Sequence, residues 1–193
     1  MSQVPDAPLR RSDERTALAV VTSAFADDPV ERWLYPDESY QREFPRFVRA
    51  LGGKAIAANT AWCSDDEAAV AMWLPPGVTA DDETIVDVLT ATVAVAKHED
   101  MYAALEQMGR AHPNDPHWYL AWLAVERGAQ GRGLGADLLT RCLALVDASH
   151  QAAYLETPNP RTVPFYERHG FAKVGNTHGG SCPPITFMHR PPR

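Results

Sequence analysis

The chain has 193 residues, with 18 Lys and Arg against 25 Asp and Glu, for a formal net charge of −7. Hydrophobic residues at 45% and charged residues at 22% suit one globular domain with a real core. Five Trp, six Tyr and six Phe exclude a solvated coil, and the acidic balance argues against a bulk nucleic-acid binder.

The first thirteen residues are polar and broken by Pro5 and Pro8, with a short strand expected near Leu9. They lack the cationic start and apolar run of a secretory leader, and no stretch nears the ~18 apolar residues of a membrane span, so a cytoplasmic chain away from membranes is expected. From Asp13 the spacing of Leu18, Val21, Ala24 and Phe25 predicts a helix that Pro29 stops or kinks. An acidic, aromatic connector follows at 27–38. A second helix, Tyr40–Leu51, is closed by Gly52-Gly53. Thr60–Cys63 and Ala68–Leu74 read as a hairpin. Residues 80–109 read as helical with few breakers, with Ile85, Val88, Leu89, Thr92, Val93 and Val95 on a broad apolar face.

The nearly continuous apolar run Trp118–Val125 predicts a strand buried on both faces. A glycine-rich turn leads into a helix to about Ser149, then a strand at Ala152–Glu156 and a helix at about Thr162–His169. Two last strands are expected near Phe171–Val174 and Ile185–His189. Cys63, Cys142 and Cys182 are odd in number and lack CxxC spacing, which points to reduced thiols; the seven histidines show no metal-ligand spacing, so no metal is expected.

The strongest chemical signal is strand, turn, helix across Leu123-Ala-Val-Glu-Arg-Gly-Ala-Gln130-Gly-Arg-Gly-Leu-Gly135. A helix N-terminus offers unpaired N–H donors, and glycines let a phosphate approach the backbone. The alternative is a glycine-softened turn that holds nothing. The run also satisfies a dinucleotide G-x-G-x-x-A pattern. However, five residues separate strand from glycines, only 37 residues follow Glu156, and the preceding chain does not alternate strand and helix. No Gly-Lys-Ser/Thr follows, so a P-loop is excluded.

Gln130-Gly-Arg-Gly133-Leu-Gly135 resembles the Gln/Arg-x-x-Gly-x-Gly/Ala signature of the GNAT superfamily of acyl-CoA-dependent N-acyltransferases. The block from Tyr154 through Asn159 and Tyr166 to Gly170-Phe171 is similar to its second motif. Ala24–Pro29, Ala71–Pro75 and Leu155-Glu-Thr157 resemble the puromycin N-acetyltransferase-like branch, without implying puromycin as substrate. The resemblance implies a single mixed α/β domain over 1–193, with a mostly antiparallel sheet whose fourth and fifth strands are parallel and splay apart. It also implies acetyl-CoA as cosubstrate, a small-molecule amine as acceptor, and a homodimer as in many relatives. The family's first strand is poorly formed in this sequence.

By motif position the resemblance implies pantetheine on the main chain of Leu123 and Val125, with the Leu123 N–H polarising the thioester carbonyl. It places pyrophosphate on the turn Gln130, Gly131, Arg132, Gly133, Leu134, Gly135 and Ala136. Arg132 either adds charge-assisted bonds or is a solvated surface residue. Asn159 and Arg168 resemble contacts to the pantetheine arm and the nucleotide end, although Asn159 is also a capping type. Tyr166 stands where the family places its general acid. The acceptor amine must be neutral to attack. Glu156 is the first candidate for its base and His117 the second, with a water chain as the third; histone-type relatives carry a glutamate where this chain has Tyr119. A non-catalytic acyl-CoA-binding regulator is the rival reading, and a dinucleotide oxidoreductase a distant one.

The charge is divided along the chain. Residues 1–125 carry 10 basic and 20 acidic residues, for −10, and residues 126–193 carry 8 and 5, for +3. The basic part coincides with the expected polyanion site. The acidic 27–38 connector predicts a cationic acceptor.

Overall fold

The computed structural model describes residues 9–193, which leaves Pro5 and Pro8 outside the described residues. A seven-stranded sheet runs through the chain: β1 (Arg10–Arg11), β2 (Ala61–Cys63), β3 (Ala69–Leu74), β4 (His117–Val125), β5 (Ala152–Thr157), β6 (Ala172–Asn176) and β7 (Thr186–Arg190). Its order is β1-β2-β3-β4-β5-β7-β6. Every adjacent pair is antiparallel except β4 and β5, which are parallel. The expected mixed α/β sheet with parallel central strands is thus observed, and β1 is two residues long.

Helices cover both faces. On one lie α1 (Glu14–Ala24), α2 (Pro29–Leu34), α3 (Ser39–Gly52), α4 (Lys54–Ala57), α5 (Asp82–Thr92) and α6 (His98–Ala111). Val21, Phe44 and Leu89 from these helices join Met72, Trp122 and Tyr154 of the sheet in one core. On the other face α7 (Leu134–Ala148) and α8 (Val163–Arg168) bury Leu139, Cys142 and Tyr166 against Trp73, Leu120 and Leu155.

Some expectations are corrected. Pro29 opens a helix inside the 27–38 connector: Asp28 caps α2, its Oδ1 accepting the Val30 N–H at 3.0 Å, and Pro29 sits in the first turn where its missing N–H costs nothing. Gly52-Gly53 closes α3 as expected, with Gly53 as its C-cap, and the short α4 follows at once. Residues 80–109 are two helices. The β-branched stretch Thr90-Ala-Thr-Val93 ends α5 with Val93 extended, and the Thr92 hydroxyl turns back to the Val88 carbonyl at 2.6 Å. Lys97 Nζ then donates to the Trp33 carbonyl, which ties the break to α2. Val95, expected on the apolar face, is 80% exposed.

The feature that positions the site is a bulge in β4. Met72 pairs with Trp122 but the next residue, Trp73, pairs with Leu120, so Ala121 has no partner on β3. As a result Ala121 and Trp122 both face the α1–α6 side, while Leu120, Leu123 and Val125 face α7. A bulged strand bends. Pairing of β4 with β5 ends immediately before it, at Leu120 opposite Leu155. Both strands run on, β4 still paired to β3 as far as Val125 and β5 to β7 as far as Thr157. Between them a gap opens.

Candidate active site

A cleft of about 700 Å³ occupies this gap and reaches both faces of the sheet, since its walls include Tyr119 and Glu156 from one face and Phe165 and Tyr166 from the other. That volume is ordinary for a small-molecule or cofactor site. One edge of it is backbone that no neighbouring strand pairs. Glu126 donates its N–H to the Ala68 carbonyl on the β3 side at 2.8 Å. Main-chain groups alternate along a strand. Leu123 and Val125 therefore aim theirs into the gap, while their side chains pack toward α7.

At the strand end Gln130 Nε2 donates to the Val125 carbonyl at 3.1 Å and pins the turn to β4. Gly131 and Gly133 have φ of +75° and +85°, the left-handed region that a side chain strains. A Cβ on Gly135 would stand 3.1 Å from Val125 Cγ2, so glycine there allows α7 to approach the strand. Gly133 is the N-cap of α7 and supplies no side-chain bond; its carbonyl takes the Ala136 N–H at 3.0 Å, while the amides of Leu134 and Gly135 have no acceptor among the described residues.

Glu156 lies on β5 just past the last pair with β4, half-buried. The Tyr119 hydroxyl donates to its Oε2 at 2.7 Å and the Tyr154 hydroxyl to its Oε1 at 3.3 Å. Burial outweighs those two bonds and pushes the carboxyl up to about 7. Tyr166, on the opposite wall, packs against Phe165 and Phe171 with ring centroids at 5.1 and 6.0 Å. Burial raises its phenol, and among the described residues its hydroxyl has no hydrogen-bond partner. A carboxyl raised toward neutrality and an unengaged phenol thus line one cleft, the two kinds of group that acid–base chemistry requires.

Residues 78–173 match the family described as acetyltransferase (GNAT) domain. Over those residues the chain is similar to a GNAT acetyltransferase domain. It is similar to an uncharacterised N-acetyltransferase of Schizosaccharomyces pombe, 23% identical over 93% of this chain and 80% of that protein. Among solved structures it resembles a histone acetyltransferase HPA2 and related acetyltransferase of Corynebacterium glutamicum, with a TM-score of 0.66 and 26% identity over 97% of this chain and 95% of that one. The fold also matches the Drosophila melanogaster polyamine N-acetyltransferase, at a TM-score of 0.62 and 14% identity over 94% and 97% of the two chains.

The fold brings most of the expected site residues to this cleft: Leu123, Val125, Gln130, Gly131, Gly133, Leu134, Gly135, Ala136, Glu156, Asn159 and Tyr166 line it. Asn159 also caps a turn, its Oδ1 accepting the Arg161 N–H at 3.1 Å. Arg132 is exposed near Asp66 and Arg168 is exposed at the end of α8, neither on the cleft wall. His117 stands outside the cleft as well, its Nε2 3.1 Å from His112 Nε2, where burial and the neighbouring imidazole lower His112 to about 4. Arg161, Thr157 and Phe165 line the cleft although none of them is among the expected site residues. Arg161 follows Asn159 by two in the second motif, which was the available signal. Tyr154 was legible as the residue two before Glu156, on the same face of the strand. Tyr119 required the cross-strand register.

No helix among the described residues is long and apolar enough to cross a membrane, and they form no cluster of metal-ligating side chains.

Proposed function

We propose that this chain transfers an acetyl group from acetyl-CoA to a primary amine, a cationic small molecule, by direct attack in a ternary complex. The parting of β4 and β5 carries this reading, because it gathers an unpaired backbone edge, an uncapped helix N-terminus, a carboxyl and a phenol in one cleft. Bound acetyl-CoA supplies an activated acyl group and a thiolate leaving group. The main chain of Leu123 and Val125 holds the pantetheine arm, and the amides of Gly131–Ala136 hold the pyrophosphate. Asn159 supports the arm, while Arg132 and Arg168 add charge at its nucleotide end from outside the cleft wall. Glu156 takes the proton from the acceptor nitrogen, the Leu123 N–H stabilises negative charge on the carbonyl oxygen, and the Tyr166 hydroxyl gives a proton to sulfur. Within the superfamily our reading favours the puromycin N-acetyltransferase-like branch, on the sequence blocks at 24–29, 71–75 and 155–157.

Thiol release and product mass across an amine panel test the reaction. Turnover of cationic amines supports it; tight CoA binding with no turnover of any amine identifies a regulator instead. Gly133→Val tests the phosphate cradle. A β-branched residue at φ +85° costs roughly 1–2 kcal/mol of strain and reshapes the first turn of α7. CoA affinity measured by calorimetry should fall at least about tenfold, the equivalent of ~1.4 kcal/mol. Unchanged affinity moves the pyrophosphate elsewhere.

A further inference from the structure

The acidic connector does not act as three equivalent carboxylates. Asp27 is exposed and ion-paired with Arg127. Asp28 is buried and spends Oδ1 on the Val30 N–H. Glu31 differs from both. It is 3% exposed, it lines the cleft, and its Oε2 is buried with no hydrogen-bond partner. No Lys or Arg among the described residues forms an ion pair with it. A buried carboxylate kept for structure is normally hydrogen-bonded or paired, because the bare oxygen otherwise costs stability. Desolvation and the nearby Asp28 both raise Glu31, and a cation set against its bare oxygen would restore the charged form.

The wall around it is built and held. Trp33, from the same helix, donates Nε1–H to Ser181 Oγ at 3.2 Å, and the Ser181 hydroxyl donates to Asp100 Oδ2 at 2.5 Å. Lys97 is committed: its Nζ donates to the Trp33 carbonyl and lies 5.4 Å over the Trp33 ring, and the cleft-lining Arg127 is paired with Asp27. Met101 and Ile185 add apolar wall to the same cleft.

This carboxylate is not a second partner for the reacting nitrogen. Glu156 is held by Tyr119 and Tyr154. The ionisable neighbours of Glu31 are Asp28, Tyr35, Tyr40 and Cys182, a separate set. The attacking nitrogen must be neutral, so it brings no charge to satisfy Glu31.

We infer that Glu31, with Asp28 beside it, is a subsite for a second cationic nitrogen on the acceptor, so that the preferred substrate is a diamine or an amine with a distal ammonium or guanidinium. This rests on the acetyltransferase reading for the fate of the other nitrogen. The neutral end is presented to Glu156 while the distal end stays charged against Glu31, within a cleft of ample size.

The test compares putrescine and cadaverine with the n-alkylamines of equal carbon count, by calorimetry and by thiol release from acetyl-CoA, on wild type, Glu31→Gln and Glu31→Met. In wild type the diamine binds more tightly and has the higher kcat/KM. In both variants the diamine-to-monoamine ratio of each falls about 30-fold, the usual scale for removing one partner of a buried charge contact. Equal wild-type affinity for the two amines overturns the subsite, as does a variant that keeps the diamine advantage. Absence of thiol release with every amine overturns the acetyltransferase reading instead, and the calorimetric ratio still decides the subsite. Gln and Met each remove the bare carboxylate oxygen at similar volume, so at least one folded variant with an unshifted or raised Tm is expected.

Discussion

Tyr166→Phe lowers kcat by about 10²–10³-fold and leaves the Kd for CoA within about twofold, the effect expected of losing a positioned general acid. The substitution is unusually clean here. The ring packs against Phe165 and Phe171, contacts that phenylalanine keeps. The hydroxyl has no partner among the described residues, so its removal strands no donor or acceptor. Burial raises the phenol, which keeps the proton on oxygen across neutral pH, as an acid requires. Stopped-flow kinetics and calorimetry on the same preparation separate the outcomes. Weakened CoA binding with unchanged kcat makes the phenol a binding contact; no change in either removes Tyr166 from the chemistry.

Glu156→Gln lowers kcat by about 10²-fold at pH 8 and abolishes an inflection near pH 7. The sign follows from the base role. Glu156 accepts a proton only when ionised, so the wild-type rate rises with pH through about 7 and then levels. Burial places the inflection there, and the Tyr119 and Tyr154 hydroxyls restrain it by stabilising the carboxylate. Tyr119→Phe removes the shorter of those bonds and shifts the inflection upward. A merely structural glutamate would not move a kcat profile in that direction. A variant that keeps both rate and inflection transfers the base role to a water chain. His117 is poorly placed to take it over, since it pairs with His112 outside the cleft.

The two predictions concern groups on opposite faces of one sheet. In a continuous sheet Glu156 and Tyr166 would be insulated from each other by the backbone layer. They share a cleft because β4 and β5 stop pairing at Leu120 and Leu155. Neither residue's neighbours in sequence contain that fact. Where the chemistry depends on local backbone, the sequence was sufficient. Alternating glycines ahead of an amphipathic helix demand positive φ and an open first turn, and Gly131 and Gly133 supply them. At the start of α1 the sequence offers Ser12 or Asp13 as the cap, and Asp13 takes that place, its Oδ1 accepting the Thr16 N–H at 2.7 Å.

Elsewhere periodicity misled. An unbroken helix over 80–109 satisfies the apolar pattern, yet Thr92 and Val93 end α5, and the chain uses the break to bring Lys97 to α2. The acidic connector was visible as a charge run, but a run of charges does not say which members are solvated. Asp27 meets Arg127 from a hundred residues away, Asp28 caps a helix, and only Glu31 is buried without a partner.

The sequence by itself determined the succession of strands along the chain and the phosphate-type turn at 130–136, because these follow from residue spacing within single elements, while Tyr166 and Glu156 became candidates through the resemblance to the superfamily's motifs. The tertiary structure alone decided that the strands part, that Tyr119 reaches Glu156 across them and that Glu31 stands bare in the wall. Each of these depends on register: a single unpaired residue, Ala121, shifts which side chains share a face and where the ladder between β4 and β5 ends.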